Sequence, residues 1–205
     1  MKLTSSTIIE DIDHMCKRGL ASLAFFYCDS RDDRKRNFRG LLSSLLLQLC
    51  HSSDSYSNIL SDFYSEHDNG SRDPSENELI GCLKSILKHP GHAPIFLIID
   101  ALDECSSTSG VPPSRENVLM FVKELVHLRL STLHICITSR PEVDITTFLR
   151  PLPFHQVSLH DEVGQLKDIV NFIKSIVDTD PRIKRWRAED KELVKEVLTK
   201  KSAGM

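Results

Sequence analysis

The sequence predicts a three-layered α/β fold built on a parallel sheet. Three short and almost wholly apolar runs have the length of strands: Leu20–Cys28, Pro94–Ile99 and Leu133–Thr138. Continuous rather than alternating apolar runs indicate strands that are covered on both faces. Helical patterns separate the runs, so successive strands need crossover connections and therefore pair in parallel.

Helices are predicted at the N-terminus and between the apolar runs. In residues 4–18, Ile8, Ile12 and Met15 recur at helical spacing, and Gly19 can end that helix. Ser75, with Glu78 three residues later, has the pattern of a capping box and begins another helix. Further helices are predicted over 38–50, 56–67, 114–130, 161–177 and from Asp180-Pro181 to about Lys200. A weaker fourth strand is predicted over His155–Leu159.

Composition excludes several classes of protein. The chain has 205 residues, of which 40% are hydrophobic, and a net charge of −3. Domains that bind nucleic acid are usually clearly basic, so no nucleic-acid partner is expected. No apolar run reaches the ~18 residues of a membrane span, so no membrane partner is expected either. The six cysteines are scattered without a CxxC pair, which favours reduced cysteines in a cytoplasmic protein.

The most informative stretch is IFLIIDALDEC, residues Ile95–Cys105, in which an apolar strand runs directly into acidic residues. Ligands of open α/β sheets bind beyond the carboxyl ends of the strands, so Asp100 would lie on the floor of such a site. A carboxylate there suits Mg²⁺, which takes oxygen ligands and bridges nucleotide phosphates. Asp103 and Glu104 could orient or deprotonate an attacking water. The alternative is a solvated acidic turn after a buried strand.

A second polar strand end occurs in HICITSRPE, residues His134–Glu142. In a parallel sheet this end would lie beside Asp100. Arg140 could then contact a terminal phosphate, because a guanidinium suits phosphate geometry. The alternative is an arginine that only packs against the acidic turn.

In this order, the segments resemble the NACHT branch of the STAND P-loop NTPases. The resemblance is greatest to the nephrocystin-3-like N-terminal module of fungal NLR-like receptors. IFLIIDALDEC resembles its extended Walker B motif, ICITSRPE its sensor-1 strand, and LAFFYCDSRDDRKRNFRGLLSSLLLQL its second strand and the following helix. SSTIIEDI resembles the helix after the phosphate loop, and the terminal KSAGM the start of a closing segment.

The resemblance implies a role for each candidate residue. Asp100 corresponds to the acid associated with Mg²⁺, Asp103 and Glu104 to the catalytic acids of hydrolysis, and Arg140 to the residue that senses the nucleotide. The cofactors implied are Mg²⁺ and ATP or GTP. The fold implied is a P-loop NTPase-type sheet over residues 1–205, a single partial domain whose C-terminal helical part begins at about residue 160.

One element of the family is missing from the sequence. No GxxxxGK[ST] motif occurs in the 205 residues, and that loop normally cradles the phosphates and supplies a lysine and a Mg²⁺ ligand. We therefore expect a core fragment of a nucleotide-dependent switch, cut at both ends, without its phosphate-loop strand and inactive as an NTPase by itself. The alternative is a module that works without nucleotide through protein partners, such as full-length paralogues or further copies of itself.

Overall fold

The computed structural model describes residues 2–32, 35, 37–105, 114–157, 163–183 and 185–202. The chain forms two compact units, Met1–Pro153 and Phe154–Met205. The first unit contains the sheet and every candidate site residue.

The sheet has three parallel strands, which confirms the predicted fold class. β1 is Ser22–Tyr27, β2 is Ile95–Asp100 and β3 is Leu133–Ile137. The strands lie in the order β1-β2-β3. Ser22 pairs with Ile95, and Ile95 pairs in turn with Leu133. All three strands therefore end at the same edge of the sheet.

Six α-helices of the first unit are described. Their bounds are α1 Lys2–Lys17, α2 Phe38–Ser52, α3 Asp54–Glu66, α4 Glu76–Leu87, α5 Ser114–His127 and α6 Val143–Leu149. The predicted helices agree with α1 to α5 within a few residues, whereas α6 was not predicted. Two 3-10 turns, Asp68–Gly70 and Leu102–Glu104, complete the unit.

Alternate residues of the strands pack on opposite faces of the sheet, as the continuous apolar runs predict. One face, with Ala24 and Leu97, packs against α2, α4 and α5, and in α2 the side chains of Leu41 and Leu45 are fully buried. The other face, with Phe25 and Ile98, packs against α1. Helices on both faces make the unit three-layered.

Local signals fix the ends of two helices. The Gly19 N–H donates to the Cys16 carbonyl at 2.9 Å and the Leu20 N–H to the Met15 carbonyl at 3.0 Å, with Gly19 at a φ of +70°. This is the Schellman arrangement that a left-handed residue after a helix allows. At α4 the Ser75 and Glu78 side chains each accept a hydrogen bond from the other's backbone, so the predicted capping box is confirmed.

The second unit contains α7, Val163–Thr179, and α8, Ala188–Ser202, joined by the ion pair of Lys195 with Asp178 at 2.9 Å. The prediction that the last helix starts at Asp180-Pro181 is wrong. The Asp180 carboxylate accepts from the Arg182 N–H at 2.8 Å, which closes a turn instead. Of the predicted strand His155–Leu159, residues 155–157 are irregular and the rest lies outside the described residues. Within the described ranges, no helix has both the length and the hydrophobicity to cross a membrane.

Candidate functional site

The carboxyl ends of β2 and β3 bring two predicted segments together. The register pairs Ile99 with Ile137, so Asp100 and Thr138 are the next residues on neighbouring strands. The Thr138 N–H donates to the Ile99 carbonyl at 3.0 Å, which extends the strand pairing to this point. The candidate acid is therefore adjacent to the polar end of β3, as the parallel topology requires.

Asp100 is held by a neighbour that the sequence analysis did not select. Its side chain is almost fully buried, with the residue 2% exposed, and the Thr138 hydroxyl donates to its carboxylate at 2.5 Å. The same hydroxyl accepts a hydrogen bond from the Ala101 N–H at 3.0 Å. A hydroxyl has one donor and two acceptor sites, so Thr138 satisfies both groups at once. The sequence signal that could have identified Thr138 is a residue with a hydroxyl group directly after an apolar strand.

The backbone reverses direction immediately after Asp100. Ala101 has φ +55° and ψ +48°, in the left-handed region of the backbone that residues other than glycine rarely adopt. The 3-10 turn Leu102–Glu104 follows, and the Leu102 N–H donates to the Thr138 carbonyl at 3.0 Å. Leu102 itself is fully buried in the main core. The burial of Leu102 places Asp103 and Glu104 beside the carboxyl ends of the strands.

Asp103 and Arg140 form a direct contact. The Arg140 N–H donates to one carboxylate oxygen of Asp103 at 3.0 Å, and the Arg140 Nε lies 3.5 Å from the other. The Asp103 side chain is only 8% exposed, whereas that of Arg140 is 74% exposed. The acidic turn and the end of β3 are thus joined, with a guanidinium that is mostly accessible.

Glu104 faces the segment that follows β1. Its Oε2 accepts from the Ser30 N–H at 3.5 Å, a long hydrogen bond at an exposed position. Nearby, Arg31 pairs with Asp29 at 3.0 Å, and this hydrogen bonding and charge raise the pKa of the Arg31 side chain. The three strand ends therefore contribute residues to one edge, although Glu104 is held much less firmly than Asp103.

Arg115 contacts the acidic turn, which is the 3-10 turn Leu102–Glu104. The sequence analysis did not select this arginine. Its guanidinium donates to the carbonyl of Asp103 and, at 3.3 Å, to that of Cys105, and it pairs with Asp144 at 3.1 Å. The Arg115 side chain is 11% exposed. Carbonyl acceptors leave no pattern in a sequence, and so nothing pointed to this residue beyond its position near the start of a predicted helix.

The described residues of this edge contain no complete metal site made of protein ligands alone. Among the residues that the structure describes, no group of three or more His, Cys, Asp or Glu side chains could hold a metal ion. Asp100 supplies one buried carboxylate, and the Thr138 hydroxyl points its hydrogen at that group. This donor set suits Mg²⁺, which usually binds through one or two carboxylates while keeping waters and phosphate ligands.

A family model described as "Nephrocystin 3, N-terminal" matches residues 3–140 of the chain. The matched range contains all three strands and ends at Arg140. It therefore includes every candidate residue at the carboxyl edge of the sheet. Comparisons with curated proteins and with solved structures find no significant match.

Proposed function

The chain belongs to the nephrocystin 3 N-terminal family, and from this we propose that it is the core of a NACHT-type signalling switch, of the STAND class of P-loop NTPases. In this proposal Mg²⁺ and ATP or GTP bind at the carboxyl edge of the sheet, and the nucleotide state controls contacts with protein partners in the cytoplasm. The observation that carries the proposal is the buried Asp100 carboxylate at the end of β2, fixed by Thr138 on the neighbouring strand.

The position of Asp100 suits a Walker B acid. Ligands of open parallel sheets bind beyond the strand ends, where Asp100 lies. Its carboxylate would hold Mg²⁺ directly or through water, and the ion would neutralise charge on the nucleotide phosphates. The hydrogen bond from Thr138 fixes the orientation of the carboxylate before any ligand binds.

Asp103, Glu104 and Arg140 would act around the terminal phosphate. The accessible guanidinium of Arg140 can donate to phosphate oxygens in a planar, forked geometry. Since Arg140 also contacts Asp103, a phosphate that draws the guanidinium away would weaken one contact of the acidic turn. Asp103 or Glu104 would then orient an attacking water, which is the role that hydrolysis requires.

Affinity and turnover should be low for the 205 residues alone. The sequence has no GxxxxGK[ST] motif, so no Walker A lysine and no cradle of backbone N–H groups face the phosphates. Asp100, Asp103 and Glu104 would then meet an anionic ligand with Mg²⁺ and Arg140 as the compensating charges. We therefore propose weak nucleotide binding and no efficient hydrolysis by this chain.

A second function is favoured by the same missing motif. In this alternative the chain is a pseudo-NTPase module that associates with full-length paralogues and does not respond to nucleotide. The contact between Asp103 and Arg140 would then only stabilise the segments that follow β2 and β3. The two functions make opposite predictions for a titration with nucleotide.

Titration of the 205-residue protein with Mg²⁺ and ATP or GTP, followed by NMR, tests the proposal. We expect small chemical-shift changes at the ends of β2 and β3 that require Mg²⁺. The nucleotide affinity obtained from them should be at least tenfold lower in Asp100→Asn. This variant keeps an oxygen acceptor for Thr138, and urea denaturation checks that it folds. The control is Asp62→Asn, which removes an exposed carboxylate on α3.

Equal shifts in wild type and Asp100→Asn would contradict the assignment of Asp100. A complete lack of shifts, together with co-purification of full-length family members, would establish the nucleotide-independent alternative. Shifts that disappear only in the variant would support the switch.

A further inference from the structure

Two cysteines distant in sequence meet beside the candidate site. Cys28 directly follows β1 and Cys105 directly follows the acidic turn, and their sulfur atoms are 2.8 Å apart. Both residues are buried, with exposures of 4% and 2%. The Cys28 N–H donates to the Asp100 carbonyl at 2.9 Å, so the thiol pair lies next to the end of β2.

We propose that Cys28 and Cys105 are an oxidative modification site that forms a reversible intramolecular disulfide. A disulfide bond is about 2.05 Å long, so the two sulfurs need to approach by less than an ångström. The Cys28 N–H is held by the Asp100 carbonyl, and the Cys105 N–H donates to the Leu102 carbonyl at 3.1 Å. Closing the bond therefore requires only a small movement of the two sulfurs.

The chemistry of the pair assigns different roles to the two thiols. The Arg115 guanidinium donates to the Cys105 carbonyl at 3.3 Å, and its positive charge favours the thiolate form of Cys105. Either sulfur could be the donor in the contact between them, so the positive charge beside Cys105 is what distinguishes the two thiols. Cys105 is therefore the more reactive sulfur, since the thiolate is the nucleophile.

Other cysteines of the chain provide a contrast. Burial raises the pKa of Cys50, whose thiol donates to the Tyr56 carbonyl at 3.4 Å. Burial raises the pKa of Cys82 to about 11. Burial also raises the pKa of Cys136, a half-buried residue on β3. These thiols should react with oxidants more slowly than Cys105.

A hydroperoxide is the oxidant that a buried pair can use, because hydrogen peroxide is little larger than water. The Cys105 thiolate attacks one peroxide oxygen, the O–O bond breaks, and Cys105 becomes a sulfenic acid while hydroxide leaves. The Cys28 sulfur then attacks the Cys105 sulfur, the S–O bond breaks and water leaves. Overall two thiols and one peroxide give one disulfide and two waters. A dithiol reductant reverses the step by exchange.

The crosslink would tie the end of β1 to the acidic turn. Cys105 is the residue after Glu104, and the Arg115 guanidinium donates to the carbonyls on both sides of Glu104. A disulfide at this point limits any movement of Asp103 and Glu104 away from the sheet edge. If the proposed nucleotide switch is correct, and this consequence alone rests on it, oxidation would hold the turn in one position.

The experiment treats the folded 205-residue protein with hydrogen peroxide and maps peptides by mass spectrometry without reduction. We expect a Cys28–Cys105 crosslink that lacks two hydrogen atoms, disappears with dithiothreitol and raises the midpoint of urea unfolding. Cys28→Ser and Cys105→Ser should each abolish it. Cys136→Ser, which changes a more accessible cysteine, should leave it unchanged.

Two results would overturn the proposal. One is sulfinic acid at Cys105 with Cys28 still reduced, since an apposed thiol would have trapped the sulfenic acid first. The other is a crosslink that joins different cysteines of the folded wild-type protein. Both readouts come from wild type and need no nucleotide, so failure here is separate from failure of the proposed switch.

Discussion

Arg140 contacts Asp103 twice, once through its backbone N–H at 3.0 Å and once through its Nε at 3.5 Å. The two contacts differ in their surroundings, because the Arg140 side chain is 74% exposed while that of Asp103 is 8% exposed. The backbone contact should therefore contribute most of the stabilisation. The guanidinium remains available for a ligand.

This difference predicts unequal effects of two substitutions. Arg140→Ala should lower the free energy of unfolding by less than about 1 kcal/mol, as is usual for exposed ion pairs. Asp103→Ala should lower it by about 1.5–3 kcal/mol, because a charged acceptor of a hydrogen bond is lost. Urea denaturation measures both, with Asp103→Asn expected between them. Equal costs would show that the guanidinium contact dominates.

Thr138 should be essential for the stability of the sheet edge. Thr138→Val removes the hydroxyl that donates to Asp100 and accepts from Ala101. A buried polar group without its partner costs about 1–3 kcal/mol, and we expect a loss of that size in urea denaturation. Thr138→Ser keeps the hydroxyl and should recover most of it. A valine variant as stable as wild type would mean that water replaces the hydroxyl.

Arg115 is predicted to hold the acidic turn in place. Arg115→Met removes the donors to the Asp103 and Cys105 carbonyls and the pair with Asp144. We expect a loss of about 1.5–3 kcal/mol in the free energy of unfolding. Asp144→Asn removes only the partner whose side chain is 52% exposed, and so it should cost less than about 1 kcal/mol. Similar losses in the two variants would assign the effect to the ion pair.

The backbone of Ala101 limits which residues fit directly after Asp100. Its φ of +55° lies in the left-handed region, which costs an ordinary residue roughly 1–2 kcal/mol. Ala101→Gly should therefore be neutral or stabilising by up to about 1 kcal/mol. Ala101→Val should be destabilising, because a β-branched side chain fits this conformation worst. Urea midpoints should follow the order Gly, Ala, Val, and any other order would argue against this conformation.

The capping box of α4 should make stability depend on acid. Hydrogen bonds from the Ser75 backbone and hydroxyl, and then from Arg72, lower the pKa of Glu78 from 4.5 to about 2. A carboxylate with a lowered pKa stabilises the folded state above its unfolded pKa, and this contribution is lost as the pH falls through the folded value. The stability difference between wild type and Glu78→Gln should thus shrink from pH 4.5 to pH 2.

A matched control for this prediction is Glu76→Gln, in the same first turn of α4 but outside the capping box. Thermal unfolding of both variants across that pH range compares the carboxylate of the capping box with a neighbour on the same turn. If Glu78→Gln behaves in the same way as the control, the hydrogen bonds of the capping box do not persist in solution.

The accuracy of the sequence predictions follows the range of the interactions involved. Gly19 and Ser75 act on residues within one helical turn, and both helix ends are where the local pattern indicates. Continuous apolar runs located the three strands because burial on both faces leaves a direct trace in composition. The parallel pairing that places Asp100 beside Thr138 followed from topology.

Contacts between distant segments left no such trace. Arg115 donates to carbonyl groups, which every residue possesses, so its role was invisible. The short helix α6, Val143–Leu149, has only two turns and too few positions to establish a helical period. At Asp180 a local carboxylate hydrogen bond competes with helix initiation, and the same residue type favours both outcomes.

The parallel pairing of β1 with β2 also governs the order in which the chain can assemble during synthesis. Ser22 cannot pair with Ile95 until Ile95 has left the ribosome, and α2, α3 and α4 emerge in the interval. At about 5–20 residues per second, translation leaves β1 without its partner for several seconds. The helices can form within microseconds of emerging. The hydrogen-bonding edge of β1 that faces β2 is thus unpaired in every nascent chain, and chaperone demand should depend on translation speed between codons 28 and 100.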